Sequence, residues 1–289
     1  MKLLLIIISI LTAHTCFSQT PDHSTLLYKV DGKESAYPRL SNDDKSILYQ
    51  SNQNGNWQLL TLDIKSGKNQ PVWIDTFNNN FPDWSADNEW ITFTSDRDGN
   101  EEIYLKHNKS GELKRITNHP EKDIHPYFSP DGKYILWSST RGNGSLDIYK
   151  YSIKTGKSER LTDTPEEETC ARYSPDMKHI VFLKNGTSYD DVFIMNVVNA
   201  EIYNLTKTPT TYDGWPMFSH DNQWVYYSSA ETSIFCLYKI KLDGTEKTKL
   251  TSPSRAEEDA RVCVSKDGSW LIYNKRILNT IEIRQLKDI

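Results

Sequence analysis

The chain lacks most of the features that mark the large protein classes. It has 4 cysteines in 289 residues and no CxxC pair. Only Cys170, Cys236 and Cys263 lie beyond the N-terminal segment. An odd number of that kind is not a disulfide framework, so they read as buried single thiols. Past the first 18 residues no apolar run approaches the roughly 20 residues a spanning helix needs, so no transmembrane segment is expected in the mature chain. The net charge is −5, and the 34 Lys and Arg form no basic stripe, which speaks against nucleic acid as a partner. No G-x-S-x-G occurs, so the nucleophile elbow of α/β-hydrolases is absent.

What is present begins with the N-terminus. Lys2 precedes an apolar run from Leu3 to Ala13, and small residues at Cys16 and Ser18 flank a cleavage point before Gln19. An apolar stretch this short does not span a bilayer and reads as a signal peptide, residues 1–18, removed after Ser18. A lipoprotein acylated at Cys16 is the less favoured reading, because Thr15 precedes that cysteine and no leucine stands at −3 from it. The product is expected in the periplasm or secreted.

Residues 19–289 carry an internal repeat. Aligned on Ser41, Ser85, Ser129, Ser174, Ser219 and Ser265, the spacings are 44, 44, 45, 45 and 46 residues. Two residues after each serine stands an aspartate, from Asp43 to Asp267. Six after comes an aliphatic: Ile47, Ile91, Ile135, Ile180, Val225 or Leu271. Eight after comes an aromatic: Tyr49, Phe93, Trp137, Phe182, Tyr227 or Tyr273. In Phe128 to Ser139 (FSPDGKYILWSS) a strand enters a Ser-Pro-Asp-Gly turn, where Pro130 presets φ and Gly132 accepts positive φ. The aspartate can accept a backbone N–H two residues on, fixing the hairpin. Four strands per unit of about 45 residues is one propeller blade. The fold class is therefore all-β: a six-bladed β-propeller of four-stranded antiparallel blades, in a single domain. The sixth unit has only three strands, and Leu26-Leu27-Tyr28-Lys29-Val30 stands where a fourth would be, so the N-terminal strand is expected to complete the last blade and close the ring.

These repeats, FSPDGKYILWSSTRGNGSLDIY and WSADNEWITFTSDRDGNEEIY with their RLT and RIT endings, resemble the WD40-like repeat of the TolB propeller family. The same repeat occurs in propellers attached to prolyl-oligopeptidase-type peptidases and in oligogalacturonate lyases. The resemblance covers about residues 25–288. It implies the architecture and leaves function to the site, because one fold hosts many sites. The multi-histidine metal cluster of oligogalacturonate lyases is not evident. His125 alone falls on an inner strand, while His23, His107, His119, His179 and His220 fall on turns and outer strands.

A propeller works at the mouth of its channel, near the innermost strand of each blade. Counting back from each anchor serine with period two, positions −1 and −3 are almost all apolar or proline and read as packing between blades. The alternate set does not repeat. Position −4 runs Tyr37, Phe81, His125, Cys170, Trp215, Arg261, and position −2 runs Arg39, Asp83, Tyr127, Arg172, Met217, Cys263. From these, Tyr37, Phe81, His125, Trp215, Arg261, Arg39, Asp83, Tyr127 and Arg172 are the candidate ligand contacts. No catalytic residue is assigned. At −6, the acids Asp123, Glu168, Asp213 and Asp259 form a candidate rim for a hard cation such as Ca²⁺, which takes six to eight oxygens; solvated loop acids are the competing explanation. Two functions remain open. One is a non-catalytic binding or scaffold module, monomeric, engaging an envelope protein or glycan. The other is a secreted carbohydrate-active enzyme or other hydrolase or lyase, with His125 and the channel acids in its site.

Overall fold

The computed structural model of the protein describes residues 23–186 and 189–289. The expected signal peptide, its cleavage point after Ser18 and Cys16 lie outside the described residues. Among those described, all regular structure is strand, and no helix is long and apolar enough to cross a membrane. Six four-stranded antiparallel sheets follow one another as blades. In the first, Ser35–Leu40 is innermost, followed outward by Ser46–Ser51, Gln58–Asp63 and Asn69–Trp73. The inner strands of the next five are Asn79–Trp84, Asp123–Phe128, Glu168–Tyr173, Asp213–Phe218 and Glu257–Val264. The last blade takes its outermost strand from the N-terminus: Thr25–Tyr28 pairs antiparallel with Thr280–Lys287. Arg284 reinforces that closure by donating from Nε to Ser24 Oγ at 2.6 Å. Leu27 and Tyr28 pack on the cluster of Ile47, Tyr49 and Ile283. Leu26 does not share that packing. It is 41% exposed on the solvent face of an outermost strand.

The repeated residues do the work their chemistry suggests. Each anchor serine donates its hydroxyl to the aspartate two residues on, at 2.5–2.8 Å in all six blades. Each aspartate then accepts the backbone N–H two residues further, from Lys45 in the first blade to Ser269 in the last. The repeated aliphatic and aromatic residues after each turn are at most 1% exposed in every blade. Burying such a side chain contributes about 1.5–3 kcal/mol, so these positions anchor each blade's core.

Every inner strand carries a bulge at the same place. In the first blade Ala36 pairs with Gln50 and Arg39 with Leu48, so Tyr37 and Pro38 together stand opposite Tyr49. The other five inner strands shift register at the equivalent point. One extra residue inverts the side-chain alternation beyond it. The residue at −4 is left-handed in all six blades, with φ of 50–58° at Tyr37, Phe81, His125, Cys170, Trp215 and Arg261. Pro follows it in four blades, Pro38, Pro82, Pro126 and Pro216. That suits a bulge, where a missing N–H costs no ladder bond.

Candidate functional site

The inner strands build two layers around the axis. The first is a cavity of about 280 Å³ at the end bearing the Ser-Asp turns. All six −2 residues line it: Arg39, Asp83, Tyr127, Arg172, Met217 and Cys263. Above them stand the six −1 residues, Leu40, Trp84, Phe128, Tyr173, Phe218 and Val264, and turn residues including Asn42, Ala86, Pro130, His220 and Lys266. The cavity is thus coaxial and touches every blade.

Its floor is a connected polar group. Arg39, 3% exposed, donates from one terminal nitrogen to the Pro38 carbonyl at 2.9 Å and from the other to the Tyr127 hydroxyl at 3.2 Å. Its Nε lies 3.9 Å from Asp83 Oδ1. Asp83 Oδ2 accepts the Phe128 N–H at 3.0 Å. Burial raises the Asp83 carboxyl above the usual range, while Arg172 and Arg39 pull it back. The Arg172 guanidinium lies 4.0 Å above the centre of the Tyr127 ring, and its Nε has no hydrogen-bond partner among the described residues. Burial pushes the Tyr127 hydroxyl up, so it stays a neutral donor and acceptor. The Cys263 thiol accepts the Leu40 N–H at 3.3 Å and is also raised by burial.

The second layer, formed by the −4 residues, does not line that cavity. Here Tyr37 and Phe81 meet edge-on at 4.9 Å, and Phe81 meets His125 at 4.0 Å. Arg261 sits between Tyr37, at 4.7 Å, and Trp215, at 4.4 Å. Trp215 in turn contacts Phe235 at 5.4 Å and the buried cluster of the fourth and fifth blades. The strained backbone is held across blades. Tyr37 N donates to Asn274 Oδ1 at 3.0 Å, Phe81 N to Gln50 Oε1 at 2.7 Å, and Arg261 N to Ser228 Oγ at 3.2 Å. Each acceptor occupies one repeat position in the preceding blade. His125 Nδ1 lies 2.7 Å from Thr169 Oγ1. Burial, helped by Lys122 and the three arginines Arg39, Arg172 and Arg261, lowers the His125 pKa to about 3. It is therefore a neutral, weak base at ordinary pH.

The nine expected contacts therefore divide. Arg39, Asp83, Tyr127 and Arg172 face the cavity, and Tyr37, Phe81, His125, Trp215 and Arg261 form the collar. The expected acidic rim requires correction. Asp123, Glu168, Asp213 and Asp259 are at most 2% exposed, because the bulge places position −6 on the face of the blade core rather than with position −2. Each also has its own partner. Asp123 accepts from Trp137 Nε1 at 3.1 Å and pairs with Arg141. Lys184 lies 3.5 Å from Glu168, Thr208 donates to Asp213 at 2.7 Å, and Lys275 lies 3.5 Å from Asp259. Burial raises the Asp123, Glu168 and Asp213 carboxyls. Among the described residues no group of three His, Cys, Asp or Glu is placed to hold a metal ion. The turn residues His220 and Lys266 entered the cavity unforeseen. Their signal was variability at +1, inside a turn whose neighbours never vary.

Six four-stranded blades around an end cavity shared by all of them define a β-propeller with an axial cavity. The chain belongs to the TolB β-propeller family: the TolB beta propeller domain matches residues 26–260. Among solved structures it is similar to TolB from Acinetobacter baumannii, with 28% identity and a TM-score of 0.68 over 76% of this chain. That match spans 55% of the Acinetobacter chain, about half its length. It is also similar to an oligogalacturonate lyase in complex with manganese, with 14% identity and a TM-score of 0.63, covering 87% of this chain and 74% of the lyase. The tricorn protease is similar at 17% identity and a TM-score of 0.67, covering 86% of this chain and 26% of the protease. The last two likenesses are of fold alone. No curated protein matches the chain.

Proposed function

We propose that the protein is an exported, non-catalytic binding module of the cell envelope that receives part of a protein or glycan in the axial cavity. The carrying observation is the cavity itself. It is lined by one −2 residue from every blade, and at that position the repeat stops repeating. Arg39, Asp83, Tyr127 and Arg172 are the contacts. The collar of Tyr37, Phe81, His125, Trp215 and Arg261 is the platform beneath them. A His125 with a pKa of about 3 suits a platform better than proton transfer at neutral pH. Export rests on Lys2 and the apolar run that follows it.

The test is to block the mouth without disturbing the floor. Ala86 is exposed on a turn and lines the cavity, so Ala86→Trp adds bulk there and removes no buried contact. The mature protein is used as bait on an envelope extract. Wild type is expected to retain a partner that Ala86→Trp loses at an unchanged melting temperature. Equal retention by both would place binding elsewhere on the surface.

A further inference from the structure

We infer that the group received on the cavity floor is a carboxylate carried by a peptide, docked against Arg172. This rests on the reading of the axial cavity as the binding site. The first argument is charge. The floor holds two guanidiniums, Arg39 and Arg172, and one carboxyl, Asp83. It is therefore positive whether Asp83 is ionised or not. Surplus charge in a largely desolvated site is unfavourable until an anion joins it.

The second argument separates the two arginines. Arg39 is committed to the Pro38 carbonyl, the Tyr127 hydroxyl and Asp83. Arg172 is half-buried, stands 4.0 Å over the centre of the Tyr127 ring and shares Asp83 with Arg39, but makes fewer hydrogen bonds than Arg39, and its Nε has no hydrogen-bond partner among the described residues. The edge that carries this free Nε can meet a planar acceptor. A carboxylate matches that edge with two parallel hydrogen bonds.

The third argument concerns what surrounds the anion. Leu40, Trp84, Phe128, Tyr173 and Phe218 contribute to the cavity lining. A peptide can set an apolar side chain among them beside its carboxylate. About 280 Å³ admits a chain end or a single acidic side chain with its neighbour. Capture of a terminal carboxylate is an established mode of peptide recognition.

The experiment titrates the mature protein with four probes by calorimetry, at low and high salt. They are Ac-Gly-Gly-Leu with a free C-terminus, the same peptide amidated, Ac-Leu-Asp-Leu-amide, and digalacturonate. Binding of either carboxylate peptide, at least tenfold tighter than the amide and weakened by salt, is the expected result. Which of the two binds tells a chain terminus from an acidic side chain. Arg172→Met should lose tenfold or more. Asp83→Asn guards against a folding artefact. It keeps an acceptor for the Phe128 N–H, removes the competing anion and should tighten binding severalfold. Equal binding of acid and amide, binding of digalacturonate alone, or no binding at all would overturn the inference. The binding reading fails separately. If Arg172→Met still captures the envelope partner that Ala86→Trp loses, the cavity is the site and the carboxylate assignment is wrong. If Ala86→Trp also captures it, the site itself is wrong.

Discussion

Each repeat visits the left-handed backbone region at two places, and the residues chosen there differ completely. At the turn, three residues after the anchor serine, the occupants are Asp44, Asn88, Gly132, Met177, Asn222 and Gly268, with φ of 55–71°. Five of the six are residue types that tolerate that conformation. At the bulge, four residues before the serine, φ is nearly the same, yet the occupants are Tyr, Phe, His, Cys, Trp and Arg. The left-handed state costs such residues roughly 1–2 kcal/mol each. A turn needs only its backbone shape, so evolution there is free to choose the residue that relieves strain. The bulge keeps its strain because its side chains interlock across the axis. Strain of that kind persists only where the surrounding structure over-determines it. The hydrogen bonds that the bulge N–H groups donate to the side-chain oxygens of Asn274, Gln50 and Ser228 are part of that determination.

Substitutions can break this contrast. The largest effect is expected at Trp215, which packs on a buried cluster and under Arg261. Trp215→Ala should destabilise by about 3–5 kcal/mol, as core aromatic truncations do. Trp215→Gly should be less damaging by about 1 kcal/mol, the reverse of the usual order, because glycine relieves the left-handed backbone. Urea unfolding of the two variants checks the order. An alanine variant as stable as the glycine one would mean that the bulge stores no strain.

A smaller effect sharpens the account of the collar by pH. The folded His125 pKa of about 3 lies below its ordinary 6.5. As pH falls below about 6.5 the unfolded chain takes up the proton first. This group's contribution to stability is therefore complete above pH 6.5 and is lost progressively toward pH 3, by at most about 1.4 kcal/mol per pH unit. His125→Gln should flatten the fall in melting temperature between pH 7 and 5. An unchanged slope would mean that the imidazole is solvated rather than locked in the collar.

The smallest effect lies at the turn. Met177 is the one occupant of its position that does not favour φ of 62°. Met177→Asn should stabilise by about 0.5–1 kcal/mol, less whatever packing Met177 contributes beside Tyr173 and Ile180. A calorimetric scan showing a lower melting temperature would mean that packing outweighs strain there.

The fold was legible because its determinants recur. Serine, aspartate, aliphatic and aromatic positions are set by one turn and one core, six times over, and the closing strand followed from a unit one strand short. The candidate site was legible only in part. Period-two counting carried −2, −4 and −6 onto one face, and a single inserted residue per blade broke that parity. This is why Asp123, Glu168, Asp213 and Asp259 belong to the blade cores. Pro38, Pro82, Pro126 and Pro216 were the available sign, since proline inside a strand marks an edge or a bulge. No local signal separates Arg172, held on Tyr127, from Arg261, held between Tyr37 and Trp215. That distinction arises from pairs far apart in the chain.

The division between a binding floor and a structural collar is tested most directly by measuring melting temperature and partner affinity together for Arg172→Met and Trp215→Ala. Arg172→Met should lose tenfold or more in affinity while its melting temperature falls by only a few degrees. Trp215→Ala should melt far lower yet, well below its transition, still bind within a few-fold of wild type. The opposite pattern, a stable Trp215→Ala that no longer binds beside an Arg172→Met that binds fully, would move the site to the collar and contradict the account.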